Sequence, residues 1–330
     1  MSLPTSQNAW VLAHRPTDDL TEGHFVMETR PVPKLDALKQ GQVLVKNTSF
    51  SNDPAQRLWM DGSVDPRRLY IAPILEGEVI RGSVIGTVVL SNSSSWQVGE
   101  TIFGEGGWEE YSVVQDSGPL TSKEIKISGQ SPYIVASILG LTGQTAYLGA
   151  FEEMQLKAEH TLVVSGAAGG VGSTLVQIAK HVIKCKKVIG LAGGKQKCDW
   201  VRSLGADESD FANGQDKDYQ KRLDNVLPDY ADFFFDNVGG EILDHMLTRV
   251  KRHGRIIVLF NRLTIKGMLI FDHTDKLDMA VKELTQWLRD GLISNTQGET
   301  VIDAKFEDIP STYLSLFTGG NQGKLITRLV

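Results

Sequence analysis

Val163-Val164-Ser165-Gly166-Ala167-Ala168-Gly169-Gly170-Val171-Gly172-Ser173 decides the fold. A β-branched run, Thr161 to Val164, leads into it. Leu175, Val176, Ile178, Ala179, Val182 and Ile183 follow as one apolar helical face. Strand, glycine turn and helix together are the frame of a dinucleotide fingerprint. Glycines let the backbone approach a pyrophosphate closely. The helix N-terminus then presents unpaired N–H groups and a partial positive charge. The spacing here, Gly166-x-x-Gly169-x-x-Gly172, is a variant of the commoner G-x-G-x-x-G. The plainer alternative is a tight strand–helix turn with no ligand.

The next strand, Lys187 to Leu191, carries the second signal. Folds that select NAD place an acid about 20 residues past the loop, where it holds the ribose 2′-hydroxyl. That count from Gly172 reaches Ala192, in Leu191-Ala192-Gly193-Gly194-Lys195-Gln196-Lys197. The stretch has no carboxylate and two lysines. An ammonium attracts a 2′-phosphate that an acid would repel, so Lys195 and Lys197 favour NADP(H). The alternative is a solvated first helical turn, although cations are disfavoured at that helix end.

Working outward, strand-like and helical runs alternate from residue 126 to 292. Cys198, Val201 and Leu204 line a helix stopped by Gly205. Phe233 to Phe235 reads as a third strand, Glu241 to Val250 as a helix, and Arg255 to Phe260 as a fourth strand. Residues 133–153 look helical. Leu277, Val281, Leu284 and Leu288 mark a helix ending at Gly291. Such alternation implies a parallel sheet covered by helices on both faces. Residues 1–125 read instead as short strands between glycine turns, the pattern of a small barrel or sandwich. Residues 293–330 return to short mixed elements and are expected to rejoin that first domain. The fold class is α/β.

Composition bounds the rest. The chain has 330 residues, enough for two domains at about 100–200 residues each. It is 41% apolar and 22% charged, which excludes a disordered chain. Lys and Arg number 34 against 40 Asp and Glu, so the net charge is 34 − 40 = −6. No global field draws it to nucleic acid or to an anionic membrane. Two cysteines, Cys185 and Cys198, make no disulfide framework and exclude a four-cysteine zinc site. The N-terminal stretch has neither the basic nor the apolar segment of a signal peptide. The run Ile256 to Phe260 is far shorter than the ~18 residues of a membrane span. A soluble cytoplasmic protein is expected.

Several further stretches carry a family resemblance. They are Asp53-Pro54 with Arg57, Tyr70-Ile71-Ala72-Pro73, Gly77-Glu78-Val79 and Gly107-Trp108-Glu109-Glu110-Tyr111. Later come Gly140 to Tyr147, Phe235-Asp236-Asn237-Val238-Gly239-Gly240, Arg262 to Gly267 and Asn321-Gln322-Gly323-Lys324. Over nearly its whole length the chain resembles the zinc-free double-bond reductases of the medium-chain dehydrogenase/reductase superfamily. These are the prostaglandin, alkenal and curcumin reductases. The resemblance implies a GroES-like β-barrel plus a Rossmann domain. It implies that Gly169, Gly170, Val171 and Gly172 hold the pyrophosphate and that Lys197 meets the 2′-phosphate. Asn237, the stretch Met268, Leu269 and Ile270, and Asn321 are implied as further cofactor contacts. For Met268 to Ile270 a buried strand is a compatible second reading. A homodimer through the edge near Thr264 to Phe271 is implied as well.

Zinc-binding members place Cys or His after the strand near residue 45, and His-Glu after a glycine near 77. This chain has Ser49-Phe50-Ser51-Asn52-Asp53 and Gly77-Glu78 there. Without thiol or imidazole a first shell does not form, so no metal is expected. Three departures stand out. Ala55 and Ala212 replace family tyrosines. Phe260 runs almost directly into Asn261-Arg262-Leu263-Thr264, where the family continues with a Gly-rich, Tyr-bearing loop.

The expected chemistry is NADPH-dependent reduction of the C=C bond of an α,β-unsaturated carbonyl. Tyr70 is the candidate substrate-side donor, with a packing tyrosine as its alternative. Rival readings are an NADPH:quinone reductase and a cofactor-binding protein without catalysis.

Overall fold

The computed structural model describes every residue except 1–2, 119–120, 212–217, 256, 259–262 and 265–269; for 210–211, 257–258 and 263–264 it describes the backbone alone. The chain divides into two compact units. The first comprises Met1–Lys126, Thr300–Asn321 and Leu325–Val330. The second comprises Ile127–Glu299 and Gln322–Lys324. Thr300–Asn321 and Leu325–Val330 thus group with the first unit, and Gln322–Lys324 with the second.

The first unit opens with an antiparallel ribbon of β1 (Ser6–Leu12) and β2 (Phe25–Pro31). The long strand β3 (Gln42–Asn52) is followed by the short helix α1 (Ala55–Met60). Then come β4 (Arg81–Asn92), β5 (Thr101–Gly107), β6 (Tyr111–Gln115) and β7 (Ser122–Lys123). β3 pairs with β4 along one edge. Its first half pairs with β6 along the other. Register shifts at Leu44/Val45 and Asn47/Ser49 bend it, as bulges do, so that one strand can serve a curved barrel wall. Alternating inward residues Val43, Val45, Val84, Val88, Ile102 and Val114 meet the rings of Phe25, Trp108 and Tyr313 in the core.

The second unit starts with turns and α2 (Leu141–Leu148), so regular α-helix covers only part of the expected 133–153 span. It continues with β8 (Thr161–Val164), α3 (Gly170–Gln177), β9 (Lys187–Ala192), α4 (Lys195–Ser203) and β10 (Glu208–Phe211). Next are α5 (Tyr219–Val226), β11 (Phe233–Phe235) and α6 (Gly240–Met246). The short β12 (Ile257–Val258) and β13 (Leu263–Thr264) precede α7 (Leu277–Arg289). The parallel sheet has the order β10-β9-β8-β11, the first half of a Rossmann arrangement. β8 is buried at every position, as a strand between two helical layers must be.

One expected strand is corrected. Of the expected strand Arg255 to Phe260, the described residues Ile257 and Val258 lie outside the hydrogen-bonded order of that sheet. Ile257 and Val258 pair antiparallel with Thr264 and Leu263. Two strand-like runs so close in sequence meet locally more readily than one inserts into a distant parallel edge. β10 takes the fourth place instead. The tail adds β14 (Glu299–Ala304), α8 (Ile309–Leu314) and β15 (Lys324–Leu329). β15 pairs with the end of β3, Leu325 opposite Asn52.

Glu109 follows β5 and sits where water is largely excluded. That burial pushes its carboxyl up to about 7, against the lowering influences of Ser112, Arg30 and Gln7. The folded chain thus binds a proton more tightly than the unfolded one. Stability should fall as pH rises from about 4.5 to 7, by about 1–3 kcal/mol, and should level off above. Urea denaturation at pH 5 and pH 8 should record this loss in the natural chain and a much flatter profile in Glu109→Gln.

Candidate functional site

β8, β9 and β11 run parallel, so their carboxyl ends lie on one side of the sheet, where open α/β sheets bind ligands. β8 and β11 flank the point at which the strand order reverses. The glycine loop begins there. Gly166 has φ +56°, a left-handed turn that glycine makes without strain. It sends the chain across the end of β9, where Ala167 N–H donates to Leu191 O at 2.9 Å.

α3 then starts at Gly170. Its first internal bond runs from Ser173 N–H to Gly169 O, 2.9 Å. The N–H groups of Gly170, Val171 and Gly172 therefore have no acceptor within the helix, and they stand at its positive end. Gly172 makes this closure possible. A Cβ there would lie 2.4 Å from Gly166 O and 2.7 Å from Ala167 Cα. At Gly169 and Gly170 an added Cβ would meet atoms at 3.1–3.2 Å. The loop is thus a bare backbone cradle with three amides at its rim, and a diphosphate fits that donor set.

A polar staple fixes the loop's entrance. Ser165 Oγ donates to Asp236 Oδ1 at 2.6 Å and accepts from Asn237 N–H at 2.8 Å. Asn237 Nδ2 donates to Ser165 O at 2.8 Å, and Gly239 N–H donates to Asp236 Oδ2 at 3.0 Å. Asn237 is thereby held against the turn, with its amide nitrogen committed to β8. A second tie comes from the tail. Gly323 N–H donates to Ala168 O at 2.8 Å, and Lys324 N–H donates to Gly298 O at 2.8 Å. Gln177, buried in α3, exchanges hydrogen bonds with the Ser294 backbone, 2.7 and 3.0 Å. Ser165, Asp236 and Gly323 were not among the sequence candidates. The motifs around Asp236 and Gly323 were visible, but no spacing rule ties them to residues 71 and 155 positions earlier.

Two residues past β9, Gly194 adopts φ +100° and α4 begins at Lys195. Lys195 and Lys197 occupy its first turn. Burial holds the Lys197 ammonium below the usual lysine range. Lys195 is exposed and paired with Asp199 at 2.5 Å. Ile270 is buried and opens a 3₁₀ stretch, Ile270–Lys276, rather than a strand. Met268, Leu269 and Ala212 lie outside the described residues. So does the juncture at residues 259–262. Asn321 falls in the first unit, one position before Gln322.

Tyr70 is also in the first unit. Its hydroxyl accepts from Trp59 Nε1 at 2.9 Å, the rings edge to face at 6.4 Å. Burial raises the Tyr70 pKa, so the phenol keeps its proton at neutral pH. Where a zinc shell would need Cys and His, Ser51 Oγ donates to Asp53 Oδ2 and Asn52 Nδ2 to Thr327 Oγ1, both at 2.8 Å. Glu78 Oε2 accepts from Leu75 N–H at 2.9 Å and closes a turn. Among the described residues no three His, Cys, Asp or Glu side chains cluster as metal ligands do.

A bent antiparallel barrel and a Rossmann sheet with this loop, in one chain, define a medium-chain dehydrogenase/reductase. A family model described as the N-terminal domain of oxidoreductase matches residues 8–121, and one described as zinc-binding dehydrogenase matches residues 170–275. The chain is 34% identical to "Putative NADP-dependent oxidoreductase YfmJ" of Bacillus subtilis, over 99% of each. It is 31% identical to 2-alkenal reductase (NADP(+)-dependent) of Nicotiana tabacum, over 86% of each. The crystal structure of CurA in complex with NADPH from Vibrio vulnificus is similar with a TM-score of 0.85 at 27% identity, covering 98% of this chain and 99% of that one. This chain belongs to the zinc-free double-bond reductase group of the medium-chain dehydrogenase/reductase family.

If Gly172 closes the cradle, Gly172→Ala should push the start of α3 away from Gly166 and Ala167. NADPH binding, followed by fluorescence titration, should weaken at least ten-fold. The thermal midpoint should fall as well, because the overlap is with backbone.

Proposed function

We propose that this protein reduces the C=C bond of α,β-unsaturated ketones and aldehydes with NADPH. The observation that carries the reading is the three-amide cradle of α3 beside a β9 terminus bearing Lys195 and Lys197 in place of a ribose-binding acid. The relatives named above support the reaction class. When bound, NADPH supplies a hydride to the carbon β to the carbonyl.

Gly169, Gly170, Val171 and Gly172 hold the pyrophosphate against the helix terminus. Lys197 and Lys195 hold the 2′-phosphate by charge-assisted bonds. Asn237, anchored to Ser165, borders the nicotinamide side with Met268, Leu269 and Ile270, and Asn321 reaches the cofactor from the tail. Tyr70 faces the substrate carbonyl. As the β-carbon gains the hydride, negative charge collects on the carbonyl oxygen. A phenol O–H aimed at that oxygen lowers the barrier. Trp59, by donating to the Tyr70 oxygen, makes that O–H the better donor. A proton from a side chain or from water then completes the α-carbon, and the product is the saturated carbonyl. A conjugated acceptor is electrophilic without a Lewis acid.

The protein works in the cytoplasm as a homodimer. Both cysteines are free and buried, and burial pushes the Cys185 thiol up to about 11, so it is not poised for disulfide chemistry. Among the described residues no helix is long and apolar enough to cross a membrane. The sequence Leu263 to Phe271 is apolar enough to need cover as a sheet edge. Sedimentation at micromolar concentration should give twice the chain mass of 36.3 kDa; a monomer would overturn the dimer.

Activity is tested by NADPH oxidation with a trans-2-alkenal and, separately, a quinone. Turnover of the alkenal is expected. Quinone-only turnover would make the protein a quinone reductase, and binding without oxidation would make it a sensor. Tyr70→Phe should lower kcat on the alkenal about a hundred-fold while leaving NADPH affinity unchanged.

A further inference from the structure

Lys195 is exposed, yet its ammonium is engaged. Nζ lies 2.5 Å from Asp199 Oδ2, one helical turn further along α4. The other oxygen of that carboxylate meets Arg202 NH1 at 3.0 Å. Arg202 has a second anchor, donating NH2 to Ser209 O on β10. Lys195 is tied down by the carboxylate one turn away. The pair also holds the Asp199 carboxyl below the ordinary range, so it is ionised at neutral pH.

A 2′-phosphate arriving at the end of β9 therefore meets two opposed influences. Asp199 occupies one of the three Lys195 N–H donors and offsets its charge, so the phosphate meets a cation already partly neutralised. The carboxylate then remains nearby as a like charge to a near-dianion. Neither effect touches a coenzyme whose ribose carries only a 2′-hydroxyl. Specificity is a difference of affinities, and an element that opposes one ligand alone shifts it as surely as one that attracts.

We infer that Asp199 is a specificity-determining residue: it competes with the 2′-phosphate for Lys195 and tempers the preference for NADP(H) over NAD(H). The inference rests on the NADP(H) reading above. An uncharged partner at position 199 would leave Lys195 to the coenzyme. The salt bridge is open to solvent, with 88% of the Lys195 and 50% of the Asp199 side chain exposed, so the effect is that of a surface pair and weakens with salt.

Dissociation constants for NADPH and NADH, by calorimetry at low ionic strength, test it without any turnover. Asp199→Asn should tighten NADPH about two- to five-fold, the scale of an exposed ion pair, and leave NADH unchanged. In a Lys195→Gln background most of that gain should vanish. An unchanged NADPH constant, an equal shift for both coenzymes, or a gain undiminished without Lys195 each overturns the inference. Asp199→Ser, checked by circular dichroism, guards against a fold effect peculiar to one variant. A natural chain that binds NADH as tightly as NADPH overturns the NADP(H) reading itself, and it does so before any substitution is made.

Discussion

The second unit depends on one close approach, that of Gly172 to the Gly166 carbonyl. With no side chain between them, α3 begins directly over the end of β8. The first three amides of the helix cannot then be satisfied internally. The proposed pyrophosphate site follows from that shortage of acceptors. A bulkier residue would lift the helix from the strand, and the positive helix end would lose its fixed place beside β9 and β11. The constraint is steric, but its consequence is electrostatic. It explains how a chain of net charge −6 can hold a polyanion: the attraction is local, set by backbone dipoles and a few side chains, and no long-range field is required.

Such a loop must be kept from collapsing when nothing fills it. Three ties do this from three directions. Ser165, Asp236 and Asn237 close the gap between β8 and β11. Leu191 accepts from Ala167 on the β9 side, and Gly323 donates to Ala168 from the tail. Gly323 has φ +67°, and a Cβ there would lie 2.0 Å from Gly298 O. The tail can thus reach the loop only through glycine. Preorganised donors need no rearrangement when charge arrives, so they act at full strength.

Much of this was legible in residue order. The β8–loop–α3 frame, the lysines after β9 and the stop of α4 at Gly205 all follow from local patterns whose physical meaning is short-range. The parts that were not legible are long-range or locally ambiguous. β10 (Glu-Ser-Asp-Phe) has none of the apolar run expected of a buried parallel strand, because it lies at the sheet edge. Arg255 to Phe260 has that run in sequence, and yet its described residues Ile257 and Val258 pair with a sequence neighbour. The Ser165–Asp236 bond joins residues 71 apart, and no periodicity reports such a pair. The Lys195–Asp199 pair is a different case. Its i,i+4 spacing stood in plain view, but counting lysines alone credits each with a full charge toward the ligand.

That last point bears on how cofactor choice should be read from sequence at all. An acid after the second strand selects against a 2′-phosphate when it occupies the ribose position. Here the ribose position is Ala192, and the acid sits seven residues later, on the far end of the first helical turns. In the inference drawn above it acts on the same phosphate, through the cation it holds. Selectivity at this end of β9 is therefore a balance within one short helix. Lys197 is half-buried and is destabilised as a cation by that burial, so it gains when a dianion arrives. Lys195 is exposed and paired with Asp199. The two lysines are equivalent in residue order and unequal in the folded chain, Lys197 half-buried and Lys195 exposed against Asp199.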